Sequence, residues 1–179
     1  WVRLEWRDTN LSAIAQVDTP YRLPVFDRLG RNNAKADIAL ACAAARKFNG
    51  PAYSSSYFLP LSDGQGMEVM EMCVPLVTAG RPGGYVVATY SLKEVLSELI
   101  GKSYTRSQEV SFTEPDGTRL AMYGSMRRGT RVFTAQQLLD LPGITLVPRM
   151  DGWRGAPDLF PNVLTALVTA MSIALVSVL

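Results

Sequence analysis

The sequence predicts an α+β protein: an antiparallel five-stranded sheet with flanking helices, then a smaller β-rich unit and a closing apolar helix. Three observations carry that expectation. Runs of alternating apolar and polar residues are separated by short turn signals, as in half-buried antiparallel strands. One Ala-rich stretch with capping residues at both ends interrupts them as a helix. The last residues, Phe160 to Leu179, contain no Asp, Glu, Lys or Arg.

Taken in order, Val2, Leu4 and Trp6 alternate with Arg3, Glu5 and Arg7, and Asp8-Thr9-Asn10 turns the chain into a second strand over Leu11 to Val17. Asp18 to Arg31 is irregular, punctuated by Pro20 and Pro24. Asn32 or Asn33 can cap a helix from Ala34 to Phe48, which Asn49-Gly50-Pro51 closes. Ile38, Ala41, Cys42, Ala45 and Phe48 form its apolar stripe, with Arg46 at the margin. Three further strands are expected over Ala52 to Leu59, Met67 to Val77 and Tyr85 to Tyr90, with turns at 63–66 and 79–84. Connections that short make consecutive strands antiparallel neighbours.

Ser91-Leu92-Lys93-Glu94 has the form of a capping box, which starts a helix running to about Ile100. This order of elements resembles the PAS-like (PDC/Cache-type) fold of extracytoplasmic sensor domains. Beyond it, Glu109 to Thr113 and Arg119 to Tyr123 flank the hairpin signal Pro115-Asp116-Gly117. Val132-Phe133, Leu138-Leu139 and Ile144 to Val147 complete a compact unit of three or four strands. The divisions are therefore a membrane-distal ligand-binding domain over 1–103, a membrane-proximal subdomain over 104–155, and a terminal helix over 156–179.

About 20 apolar residues suffice to cross a bilayer as a helix, because each backbone polar group is satisfied within the segment. The closing run is accordingly expected to be transmembrane, with Pro161 in its first turn and Trp153 at the membrane interface. The alternative is a buried helix of a soluble core. The chain opens at Trp1 without methionine or a signal peptide, so an upstream segment is expected.

Composition narrows the chemistry. A net charge of +2 over 179 residues gives no footprint for nucleic acid, and Arg127, Arg128 and Arg131 make only a local basic patch. The absence of histidine removes Ser-His and Cys-His nucleophile pairs and the usual His-containing zinc sites. Glu68 and Glu71 point to opposite faces of their strand, so they form no catalytic carboxylate pair. No catalytic residue, metal or cofactor is expected in this segment. Cys42 and Cys73, far apart in apolar surroundings, read as two buried thiols, with a disulfide as the alternative that an extracytoplasmic compartment would permit.

A binding site is the remaining possibility. In one continuous strand Tyr53, Ser55 and Tyr57 share a face, which presents two phenols and a hydroxyl. Thr89 adds a hydroxyl from a neighbouring strand, on the face shared with Tyr85 and Val87. With Arg46 from the helix, or Arg22 beside Tyr21 in the crossover, these residues compose a carboxylate pocket, since a guanidinium meets a carboxylate with two parallel hydrogen bonds. The plainer alternatives are a snorkelling Arg46, serines on a solvent-facing edge and tyrosines in the core.

Longer stretches carry a resemblance. Ala52-Tyr53-Ser54, Phe58-Leu59-Pro60, Met72-Cys73-Val74-Pro75-Leu76 and Gly84-Tyr85-Val86-Val87-Ala88-Thr89-Tyr90-Ser91-Leu92 are followed by Asp140-Leu141-Pro142-Gly143-Ile144-Thr145-Leu146, Gly155-Ala156-Pro157 and Pro161-Asn162. The series resembles the periplasmic portion of bacterial sensor histidine kinases of the C4-dicarboxylate-sensing type, from about Leu4 onward. That resemblance implies a periplasmic domain of the inner membrane, a small carboxylate ligand and a homodimer. It further implies a kinase core elsewhere in the protein that uses ATP and Mg and passes phosphate to a response regulator. Such sensors often place an arginine before an aromatic pair in the crossover, where this chain reads Tyr21-Arg22-Leu23-Pro24-Val25-Phe26. The alternatives are the ectodomain of a chemoreceptor or cyclic-dinucleotide enzyme, or a module recognising a periplasmic solute-binding protein.

Overall fold

The structure, a computed structural model, describes residues 1–26, 35–61, 66–101, 108–124, 130–154 and 159–178. The expected helix cap at Asn32 or Asn33, most of the turn at 63–66, Arg127, Arg128 and the junction at 155–157 lie outside these residues.

The opening hairpin forms as expected, with β1 (Arg3–Arg7) antiparallel to β2 (Ala13–Asp18). Helix α1 (Lys35–Phe48) ends as the sequence dictates. Asn49 takes the left-handed conformation at φ 51°. The Gly50 N–H then reaches back to the Ala45 carbonyl at 3.1 Å, so a terminal carbonyl is satisfied. Ile38, Ala41, Cys42 and Ala45 are buried, whereas Phe48 leaves the expected stripe and is exposed.

After α1 come β3 (Ala52–Tyr53), β4 (Tyr57–Pro60), β5 (Gly66–Thr78) and β6 (Arg81–Ser91). The first sheet has six strands, in the order β2-β1-β6-β5-β3 with β4 also on β5, rather than the expected five. The extra strand arises because the run from Ala52 to Leu59 is broken. Tyr53 stands opposite Met72 and Tyr57 opposite Val69, so the three residues Ser54–Ser56 face only Met70 and Glu71. One surplus residue on one strand is a β-bulge, and it turns every later side chain to the other face.

One face of this sheet is covered by α1, through a cluster of Ile38, Ala41, Cys42, Ala45, Ala52, Cys73, Tyr85 and Val87. Within it Cys42 and Cys73 form a disulfide, with Cα atoms 5.1 Å apart, which corrects the reading of two free thiols. The physical reason is placement: one cysteine lies on the buried stripe of α1 and the other on the β5 face that α1 covers.

Helix α2 (Leu92–Leu99) begins at Ser91, in extended conformation, but the serine side chain makes no capping bond. The capping box does not form because the Glu94 carboxylate is taken by the Arg22 guanidinium instead. The second sheet comprises β7 (Gln108–Thr113), β8 (Arg119–Gly124), β9 (Thr130–Gln136), β10 (Leu139–Leu141) and β11 (Ile144–Arg154). Its order is β10-β11-β7-β8, with β9 also on β11, five strands against the expected three or four. Strand β11 runs far beyond Val147 because Pro148 falls between the stretch paired with β10 and the stretch paired with β9. Trp153 is a half-buried residue of β11.

In the β7–β8 turn the Thr118 N–H donates to Asp116 Oδ1 at 2.8 Å. That bond holds the Asp116 carboxyl below the ordinary aspartate range. Its folded value being the depressed one, its small contribution is present above the unfolded value and fades as pH falls through the folded one. Asp116→Ala should therefore lower stability slightly near neutrality, with the difference from the parent closing as pH falls along the acid limb of a stability–pH curve measured by urea unfolding.

The two sheets share a core. Met70 of the first sheet, Leu92 and Leu96 of α2, and Val110, Phe112, Ala121 and Leu146 of the second form one buried cluster. At its margin the Tyr53 N–H donates to the Pro142 carbonyl at 2.7 Å. Gly143 has φ +102°, and a Cβ there would lie 2.2 Å from the Tyr53 carbonyl oxygen, so only glycine permits this contact.

A closing helix, α3 (Leu159–Val178), forms where the apolar run predicts one. The transmembrane expectation is corrected: among the described residues no helix is long and apolar enough to cross a membrane. Nor is α3 packed in a core, since Val163, Leu164, Leu167, Val168, Met171 and Ile173 are exposed.

Candidate ligand site

The α1-covered face of the first sheet carries the paired Glu5 and Arg7 of β1 and, beside them, a polar file that crosses the strands side by side. In register it reads Asp18 on β2, Arg3 on β1, Thr89 on β6 and Glu71 on β5. Antiparallel partners in direct opposition point the same way, so these four side chains share one face. Asp18 receives the Arg3 guanidinium in two bonds, Nε to Oδ1 at 2.6 Å and Nη2 to Oδ2 at 2.8 Å. The same guanidinium lies over the Phe26 ring, 4.8 Å from its centroid.

Glu71 is the centre of the file. It and Thr89 are 0% exposed. The Thr89 hydroxyl donates to Glu71 Oε2 at 2.7 Å and the Tyr57 hydroxyl donates to Oε1 at 2.6 Å. Charge-assisted bonds of this kind compensate the burial of a carboxylate that would otherwise be strongly unfavourable. The Glu71 backbone is held too: its N–H donates to Ser54 Oγ at 2.9 Å and its carbonyl accepts the Ser54 N–H at 2.9 Å. Ser54 Oγ in turn donates to the Ser55 carbonyl at 2.8 Å. The bulge at Ser54–Ser56 is thus pinned to the residue that bears the buried acid.

The structure brings together two of the residues singled out from the sequence, Tyr57 and Thr89, and joins them through an acid that sequence reasoning missed. Their hydroxyls already have an anion to donate to, and the chain supplies it. Tyr53 does not join them. The bulge puts it on the opposite face, against the core shared by the two sheets. Ser55 is exposed and contributes its carbonyl. Arg46 is exposed on α1, which is the snorkelling alternative rather than a guanidinium turned into a cavity.

Tyr21 and Arg22 lie elsewhere. Tyr21 is 92% exposed, and Arg22 pairs with Glu94 of α2 while its Nη1 approaches Met67 Sδ at 3.3 Å. Burial lowers the Arg22 pKa. Both line an open cleft of about 600 Å³ against α2, with Trp1, Tyr90, Glu94 and Glu98 on its other walls. A second cleft, of about 500 Å³, opens between the β1–β2 hairpin and the first turn of α1, beside Arg7, Ser12 and Lys35. Among the described residues no cluster of three or more Cys, Asp or Glu could hold a metal.

No protein-family model and no curated protein matches the chain. Solved structures of similar arrangement are ligand-binding domains of bacterial chemoreceptors. That of the Pseudomonas aeruginosa amino-acid chemoreceptor PctC in complex with GABA is 12% identical, with a TM-score of 0.46, over 84% of this chain and 73% of that one. That of the Pseudomonas fluorescens chemoreceptor CtaA in complex with L-serine is also 12% identical at a TM-score of 0.46, over 84% and 72%. That of the P. aeruginosa chemoreceptor PctB in complex with L-Gln is 14% identical at 0.43, over 92% and 75%. Likeness at this distance transfers no ligand and no output to this chain.

Proposed function

We propose that this chain is an extracytoplasmic ligand-sensing domain of a bacterial signalling protein, and that its ligand is a small organic acid bound beside Tyr57, Glu71 and Thr89. The observation that carries the reading is the fully buried acid with its two hydroxyl donors on the helix-covered sheet face. A buried charge held this way is a common property of binding sites, since a hydrophobic residue would fill the same space at less desolvation cost. The disulfide supports a periplasmic location, because such bonds persist in oxidising compartments.

Glu71 also narrows the ligand. A simple dicarboxylate would set like charges together, whereas an acid that carries an ammonium group complements the site. Amino acids therefore come first and C4-dicarboxylates second. For the output, the sequence resembles histidine-kinase sensors, while the solved structures described above are chemoreceptor domains. Both outputs are kept, and the chemoreceptor reading fits at least as well. A homodimer, and a response regulator reached through a kinase core, follow from the kinase reading alone.

Calorimetry against amino acids, GABA, succinate, malate and fumarate tests the proposal. At least one amino acid should bind, and Tyr57→Phe or Thr89→Val should weaken it about tenfold, the effect of one lost bond to a charged group. No binder across the panel, or a binder indifferent to both variants, would remove the site.

A further inference from the structure

A contiguous series of hydrogen bonds runs from the buried acid to the second sheet. Tyr57 and Thr89 hold the Glu71 carboxylate, and Ser54 holds the Glu71 backbone on both its N–H and its carbonyl. Tyr53, the next residue, donates its N–H to the Pro142 carbonyl. Its own carbonyl lies where a Cβ on Gly143 would sit. The Pro142–Gly143 turn joins β10 to β11, and β11 pairs with three strands of its sheet. Between the acid and the turn stands the bulge, an arrangement of three residues against two in which one residue has no partner of its own.

We propose that the Pro142–Gly143 turn positions the ligand site and reports its state, with the Ser54–Ser56 bulge as the element that both ends bias. The proposal rests on the sensing reading above, because it assigns to the ligand the task of moving Glu71. A ligand that draws on the Glu71, Tyr57 or Thr89 polar groups changes what holds the Glu71 segment. Ser54 follows, since its backbone and side chain are both bonded to that residue. Tyr53 is covalently next, and the turn can remain docked only while the Tyr53 N–H and carbonyl keep their present places. Coupling of this kind is reciprocal, so disturbing the turn must disturb the bulge to the same extent. The test is therefore made from both ends.

Amide hydrogen exchange on the chain without any ligand, read residue by residue by NMR, supplies that test. Tyr57→Phe keeps the ring in the core and deletes one hydroxyl from Glu71. It should speed exchange at the Tyr53 amide and across 139–146 about tenfold, and leave the β7–β8 hairpin unchanged. Gly143→Ala, made at the other end, should speed exchange at the Ser54 and Glu71 amides by a similar factor. Either variant acting only on its own side overturns the coupling, as does a uniform rise over the whole chain. Should Gly143→Ala fail to fold, Tyr57→Phe alone decides by the same criterion. Because no ligand is present, a ligand panel that fails throughout defeats the sensing reading and leaves the exchange result standing. A bound ligand with no exchange coupling defeats only the role of the turn.

Discussion

Serine at both Cys42 and Cys73 should cost the protein roughly 3–4 kcal/mol of stability, the chain-entropy estimate for a loop closed over 31 residues. For a chain of 179 residues that loss lowers the melting temperature by about 10 °C. Both cysteines are buried, so a reductant reaches the bond only when the structure opens. Mild reducing agent should accordingly act slowly on the native protein and rapidly in urea. Equal unfolding midpoints for the double variant and the parent would count against the bond, and so would two titratable thiols in the oxidised native protein. The bond fastens α1 to β5 two residues from Glu71, so its loss should also loosen the cover over the candidate site.

Glu71→Ala should be the second most damaging change, at about 3 kcal/mol or more. It strands the buried Thr89 hydroxyl and the half-buried Tyr57 hydroxyl and leaves a cavity in a closed region. Glu71→Gln keeps the shape and one acceptor, so it should cost less stability while removing the charge that an ammonium-bearing ligand would meet. Urea unfolding and calorimetry on the two variants separate these effects. A Glu71→Ala protein within about 0.5 kcal/mol of the parent, the range of an ordinary surface substitution, would make the buried acid incidental.

Much of the fold is legible because alternation and turn chemistry are local. The β1–β2 hairpin, the Asn49-Gly50 helix ending and the hairpin at Asp116-Gly117 are all fixed by residues within a few positions of one another. The same local reading puts Thr89 on the face of Tyr85 and Val87, where the structure has it. The bulge is not local, because it exists only as a mismatch between two strands. Without it Tyr53, Ser55 and Tyr57 align on paper, whereas one surplus residue separates Tyr53 from Tyr57. The disulfide is hidden for a related reason. Cys42 belongs to a stripe and Cys73 to an alternation, and only the packing of α1 on β5 sets one against the other. Glu71 is hidden because it is a lone acid, with no second carboxylate on its strand face to mark it. A lone glutamate on the same strand face as Val69 and Cys73 was the available signal. Arg46 turned outward because a cation at the margin of a stripe keeps its hydration at no cost to the core.

The shared core between the sheets bears on any attempt to study either half by itself. Severing the chain between 103 and 104 would leave Met70, Leu92 and Leu96 on one fragment, and Val110, Phe112 and Leu146 on the other, facing water. Neither piece would be a fair miniature of the whole. The intact protein should melt in one step, and fragments should aggregate unless they are mixed and find each other again.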